Sequence, residues 1–134
     1  MALVRWLVDA VALIALGRAE HSYRQRCKTR ANLTDVEFYD AFYRGTDIPI
    51  ETCTRIRRVL KTQLRMANVR PDDNVATIFD DIDVGETCFE IGEEFELKFP
   101  DNIIDNIDGT IDSLIRATER LRKGRLHPDS GLST

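Results

Sequence analysis

The stretch TIFDDIDVGETCFEIGEEF, residues 77–95, decides how this chain is read. It sets seven carboxylates, Asp80, Asp81, Asp83, Glu86, Glu90, Glu93 and Glu94, around a thin apolar series. Ile82, Cys88, Ile91 and Phe95 form the candidate inward set of one helix, which leaves the acids on its outer surface. Such a surface can be a metal site, a docking surface for a partner, or a solvated face with no further role.

The flanking sequence places that helix among others. Upstream, TDIPIETCTRIRRVLKTQLRM (46–66) puts Pro49 where a helix begins and spaces Ile56, Val59, Leu60 and Leu64 along one face. Arg55, Arg57, Arg58 and Lys61 take the remainder. Earlier still, Thr34 and Glu37 make a T-x-x-E capping box that opens a helix over DVEFYDAFY (35–43), and Gly45 ends it. The same Thr34 completes a formal glycosylation sequon at Asn32, but the cap explains it better. NVRPDDN (68–74) and KFPDNIIDNIDG (98–109) are turn-rich connections. Thr110 is a candidate cap for a last helix, IDSLIRATERLRKGR (111–125), with Ile111, Leu114, Ile115 and Leu121 as its apolar set. Its acid lies early and its base late, as the helix dipole favours. No segment shows strand alternation and no internal repeat occurs, so the fold class is all-α.

The opening MALVRWLVDAVALIALG (1–17) is apolar except for Arg5 and Asp9, one helical turn apart and able to pair. The basic RAEHSYRQRCKTR (18–30) follows directly. Three readings stay open: a short membrane-associating helix, a helix packed on protein, and a cleaved signal.

Charge is strongly segregated along the chain. Its net value is −4, yet residues 72–112 hold fourteen acids and a single base, Lys98, a local −13 that leaves +9 for everything else. A field divided in this way steers partners, and its larger block repels nucleic acid phosphates. Cys27, Cys53 and Cys88 are widely spaced, odd in number and accompanied only by His21 and His127, which argues against zinc and against a disulfide framework. Calcium loops fail as well: a frame from Asp81 puts Gly85 at a ligand position, and the frame around Gly109 puts Ile104 at the first. The carboxylates have no His, Tyr or Lys near them in sequence, so an enzyme is the weakest reading.

Three blocks within residues 49–122 resemble an acyl carrier protein. TRIRRVLKTQL (54–64) is similar to the family's first helix, and VRPDDN (69–74) to the Ile-Thr-Pro-Asp opening of its long loop. EIGEEFELKFPDNIIDNI (90–107) is similar to the end of the second helix, the turn after it and a short third helix. The resemblance implies a four-helix bundle over 47–124, preceded by an extra helix over 31–46 and the N-terminal segment 1–30, with a tail over 125–134. It also locates a departure. Where the family has Asp-Ser-Leu, with 4′-phosphopantetheine on the serine, this chain has Asp80, Asp81 and Ile82, and no serine lies between Ser22 and Ser113. Asp81, at the serine's position, cannot form the phosphodiester; it serves as a phosphate mimic or, more economically, as a helix N-cap. The expectation is therefore an interaction module with no cofactor, no metal site and no catalytic residue. Asp83, Glu86, Glu90 and Glu93 would dock a protein partner bearing a basic patch, with no role for nucleic acid. The implied location is cytoplasmic, with membrane contact through residues 1–30 left open. The alternatives are a working carrier with an unconventional attachment site and a structural or metal-buffering helical protein.

Overall fold

The computed structural model describes residues 2–78 and 84–126; before Glu20 it describes the side chains of Val4, Leu7, Ala10 and Arg18 only. The described residues form helices α1 (Ala2–Thr29), α2 (Asp35–Phe42), α3 (Ile50–Gln63), α4 (Val75–Ile78), α5 (Val84–Phe95), α6 (Asp101–Asp105) and α7 (Ile111–Leu126). They include no strand, only an isolated bridge between Asn74 and Thr110, so the all-α expectation holds. The expected pairing of Arg5 with Asp9 lies outside the described residues, as do Asp80, Asp81, Ile82, Asp83 and His127.

Local chemistry sets the helix ends. Thr34 accepts the Glu37 amide at 3.2 Å while the Glu37 carboxylate accepts the Thr34 amide at 3.0 Å, the reciprocal box expected for α2. The hydrogen bond from the Thr34 amide is the main reason the Glu37 carboxyl lies below its ordinary range. Pro49 and Pro100 are the extended residues just before α3 and α6, where a missing amide hydrogen costs nothing. Thr110 Oγ1 accepts the Ser113 amide at 3.1 Å at the start of α7. Gly109, at φ +91°, passes so close to Asn74 that a Cβ would come within 2.6 Å of its Oδ1.

Packing follows the apolar stripes. α3 lies between α2, α5 and α7, while α5 also meets α6. Ile56, Leu60, Ile91, Ile111, Leu114 and Ile115 are fully buried where these helices face one another. Phe38 and Tyr43 join the same cluster, so α2 shares its core with the later helices. Arg57 lies 4.7 Å over the Phe38 ring and donates to Asp35 and to the Leu33 carbonyl, which fixes the start of α2 on α3. The buried Tyr43 hydroxyl donates to Asp112 at 2.7 Å across to α7, and burial raises its pKa.

Among the described residues, α1 joins the bundle near its C-terminal end, and one carboxylate gathers several of the bonds. Asp73 accepts the Tyr23 hydroxyl at 2.9 Å, both Arg30 guanidinium nitrogens at 3.1 Å, and the Arg70 amide at 2.9 Å. Its own carbonyl accepts the first amide of α7, from Ile111, at 2.9 Å. Tyr23 is 1 % exposed, and its phenol is pushed up by burial first, then by its hydrogen bond with Cys27 and the Asp73 charge. The substitution Asp73→Ala strands a buried hydroxyl and a half-buried guanidinium, which should cost about 3 kcal/mol. Chemical denaturation should show that loss, and limited proteolysis should show faster cleavage within residues 18–34 of the folded variant.

Candidate docking face on the acidic helix

α5 sorts its residues cleanly between two sides. Thr87, Cys88, Ile91, Gly92 and Phe95 are buried, and they recur at the spacing of one helix face. Glu86, Phe89, Glu90 and Glu93 recur at the same spacing on the opposite side, where Glu86 and Glu93 are exposed and Glu90 is half-buried. Of the expected docking residues, Glu86, Glu90 and Glu93 are thus brought onto one stripe, while Asp83 lies outside the described residues. The stripe also holds a residue that the acid pattern conceals: Phe89 is 63 % exposed in the middle of the three carboxylates.

Glu94 plays a different part from its neighbours. It accepts the Arg55 Nε hydrogen at 3.0 Å and a second bond from Arg58, both from α3. Arg55 also donates to the Glu94 carbonyl at 2.7 Å. The hydrogen bond from Arg55 is the main reason its carboxyl lies below the usual range. Glu90, Glu93 and Glu94 border a shallow cleft of about 260 Å³ against Arg58, Val59 and Thr62 of α3. The cleft is shallow and open, and of its acids Glu94 is the one held by arginines of α3.

The end of α5 is clamped from two helices. The Phe95 ring has the Arg55 guanidinium 4.2 Å from its centre and that of Arg122, from α7, at 5.2 Å. Arg125 donates to the Phe95 and Glu96 carbonyls at 3.0 and 2.9 Å, which satisfies the exposed acceptors at the helix C-terminus. Glu96 takes the left-handed conformation at φ 55°, and the Leu97 amide returns to the Gly92 carbonyl at 2.9 Å. A Cβ on Gly92 would meet the Leu97 carbonyl oxygen at 2.5 Å. Read from sequence, this glycine is a cost of about 1 kcal/mol to the helix; in the structure the backbone of the turn requires it.

The remaining candidate groups are held in the fold. Thr87 is completely buried, so its hydroxyl is out of reach of any modifying enzyme, and Thr77 donates to the Asn74 carbonyl at 3.4 Å. Cys53 and Cys88 are buried and outside any disulfide, and burial pushes the Cys53 thiol up to about 12. Thr52 donates to the buried Glu119 at 3.1 Å and accepts from Arg122, a bond set that fixes α3 against α7. Among the described residues no three of His, Cys, Asp or Glu are grouped to hold a metal ion.

No family model, curated protein or solved structure matches this chain.

The Glu94 clamp has a pH signature. A carboxyl depressed in the folded state contributes stability above its unfolded pKa of about 4.3 and loses it as the pH falls through the lower folded value. Glu94→Gln should therefore cost about 1 kcal/mol at neutral pH. Its stability should also fall less steeply than that of the native chain below about pH 4.5. Urea denaturation between neutral pH and about pH 3 measures both slopes, and parallel curves would deny Glu94 this role.

Proposed function

We propose that this protein is an acyl-carrier-like interaction module that carries no phosphopantetheine and presents the outer stripe of α5 to a basic protein partner. In this reading α3, α5, α6 and α7 are the four helices of the carrier bundle, and α2 is the added helix before them. The observation that carries the proposal is the grouping of Glu86, Glu90 and Glu93 around the exposed Phe89. A large apolar side chain inside a charged ring is an arrangement that binding surfaces use: the aromatic anchor supplies affinity by burial, and the rim supplies steering and orientation. The carboxylates that α3 already satisfies, Glu94 above all, are left for structure.

Asp81 takes the position of the modified serine in this reading, and the buried Thr87 offers no substitute hydroxyl. Incubation with coenzyme A and a phosphopantetheinyl transferase should leave the intact mass unchanged. A covalent adduct would instead establish a working carrier.

Affinity capture with the native chain, the triple variant Glu86→Lys, Glu90→Lys, Glu93→Lys, and Phe89→Ala tests the surface. Each rim pair should contribute only about 0.2–1 kcal/mol, so the triple reversal is needed to abolish capture. Loss of the anchor should weaken it by about tenfold or more. Capture should also fall with added salt. Glu86, Phe89 and Glu93 are exposed and Glu90 is half-buried outside the core, so the circular dichroism of the variants should match that of the native chain. Undiminished capture by both variants would end this assignment.

A further inference from the structure

Among the described residues, the bonds that tie α1 to the bundle gather near its C-terminal end. This helix has 28 residues, a length of about 42 Å. Its ties to the rest of the chain fall at Tyr23, Arg24, Cys27 and Arg30. In the preceding turns Val4 and Leu7 are 63 % and 48 % exposed. Residues 2–17 contain only two charges, Arg5 and Asp9, and the apolar residues are spread around every side of the helix.

That distribution decides what covers the segment. A groove on a protein, or the α1 of a second copy, covers one side of a helix and leaves the others in water. Acyl chains cover all sides at once, and a helix that is apolar all round belongs inside a core or a lipid phase. The next segment chooses the kind of lipid. Residues 18–30 have five arginines and lysines, of which Arg18, Arg26 and Lys28 are exposed, and their single acid, Glu20, is held by Arg24 at 2.9 Å. Cations immediately beyond an apolar helix are drawn to anionic headgroups. Length sets the depth: sixteen apolar-region residues make about 24 Å of helix, less than the roughly 30 Å of a bilayer core. Among the described residues no helix is long and apolar enough to cross a membrane.

We propose that the N-terminal half of α1 is a docking element that enters, without crossing, a bilayer containing anionic lipid, with the basic run 18–30 at its headgroups.

Trp6 is the single tryptophan of the chain and reports directly on this segment. The full chain is mixed with vesicles of phosphatidylcholine alone and with vesicles containing about one-third phosphatidylglycerol, then floated on a density gradient. With the anionic vesicles the chain should float and the Trp6 emission should shift to the blue. Binding should be at least about tenfold weaker on phosphatidylcholine alone and in about 0.5 M salt. The double variant Val4→Asp, Leu7→Asp should lose flotation and the blue shift together while melting like the native chain, because both side chains lie outside the core. Absence of flotation with either vesicle overturns the proposal, as does undiminished flotation of the double variant. Binding indifferent to anionic lipid removes the role of residues 18–30. A concentration-dependent dimer that ignores vesicles and dissociates in the double variant assigns the segment to a second copy instead.

Discussion

The carboxylate of Asp73 is the point on which the tertiary arrangement turns. It lies in a loop between two helices, yet it gathers a phenol and a guanidinium from α1 and an amide from its own loop, while its carbonyl receives the start of α7. Removing a charge this far from water is costly, and the cost is offset because every donor around it is part of the same constraint. The node works with the bonds of Arg24 to the Arg65 carbonyl and of Asn68 to the Cys27 carbonyl, which hold the same end of α1. The Arg30 guanidinium, 5.5 Å over the Tyr23 ring, adds a second contact to the same joint.

A similar economy governs α5. Its inward face is held by burial, and its C-terminus by Phe95 between two guanidiniums and by Arg125 on its last carbonyls. Those arginines are the chain's basic share meeting its acidic share within the fold. Glu94 is used up in that meeting, while Glu86, Phe89, Glu90 and Glu93 are turned to the other side. The acidity of residues 77–95 therefore divides into acids that hold the helix and acids that mark its surface.

Several elements were legible from residue patterns because their signals are local. The capping box at Thr34 and Glu37, Pro49 before α3, and the Thr110 cap are signals carried by residues three apart or fewer. The inward positions Cys88, Ile91 and Phe95 follow from helical spacing alone. α4 was not legible: four residues are too few to show a period, and it forms where Val75 and Ile111 tie two loops together. Phe89 was overlooked because an isolated aromatic among acids has no pattern of its own. The wheel drawn from Cys88, Ile91 and Phe95 would have put it outside with Glu86, Glu90 and Glu93.

By itself the sequence determined the all-helical class, most helix ends and the segregation of charge, since these depend on neighbours along the chain. Only the tertiary structure decided that Glu94 is held against α3, because Arg55 and Arg58 stand 39 and 36 residues from it. It likewise decided that Gly92 is needed rather than tolerated, because the obstacle is the carbonyl of a turn folded back over the helix. It decided too that Asp73, one acid among fourteen in its segment, is the one that binds α1, since Tyr23 and Arg30 meet it only when the chain is folded.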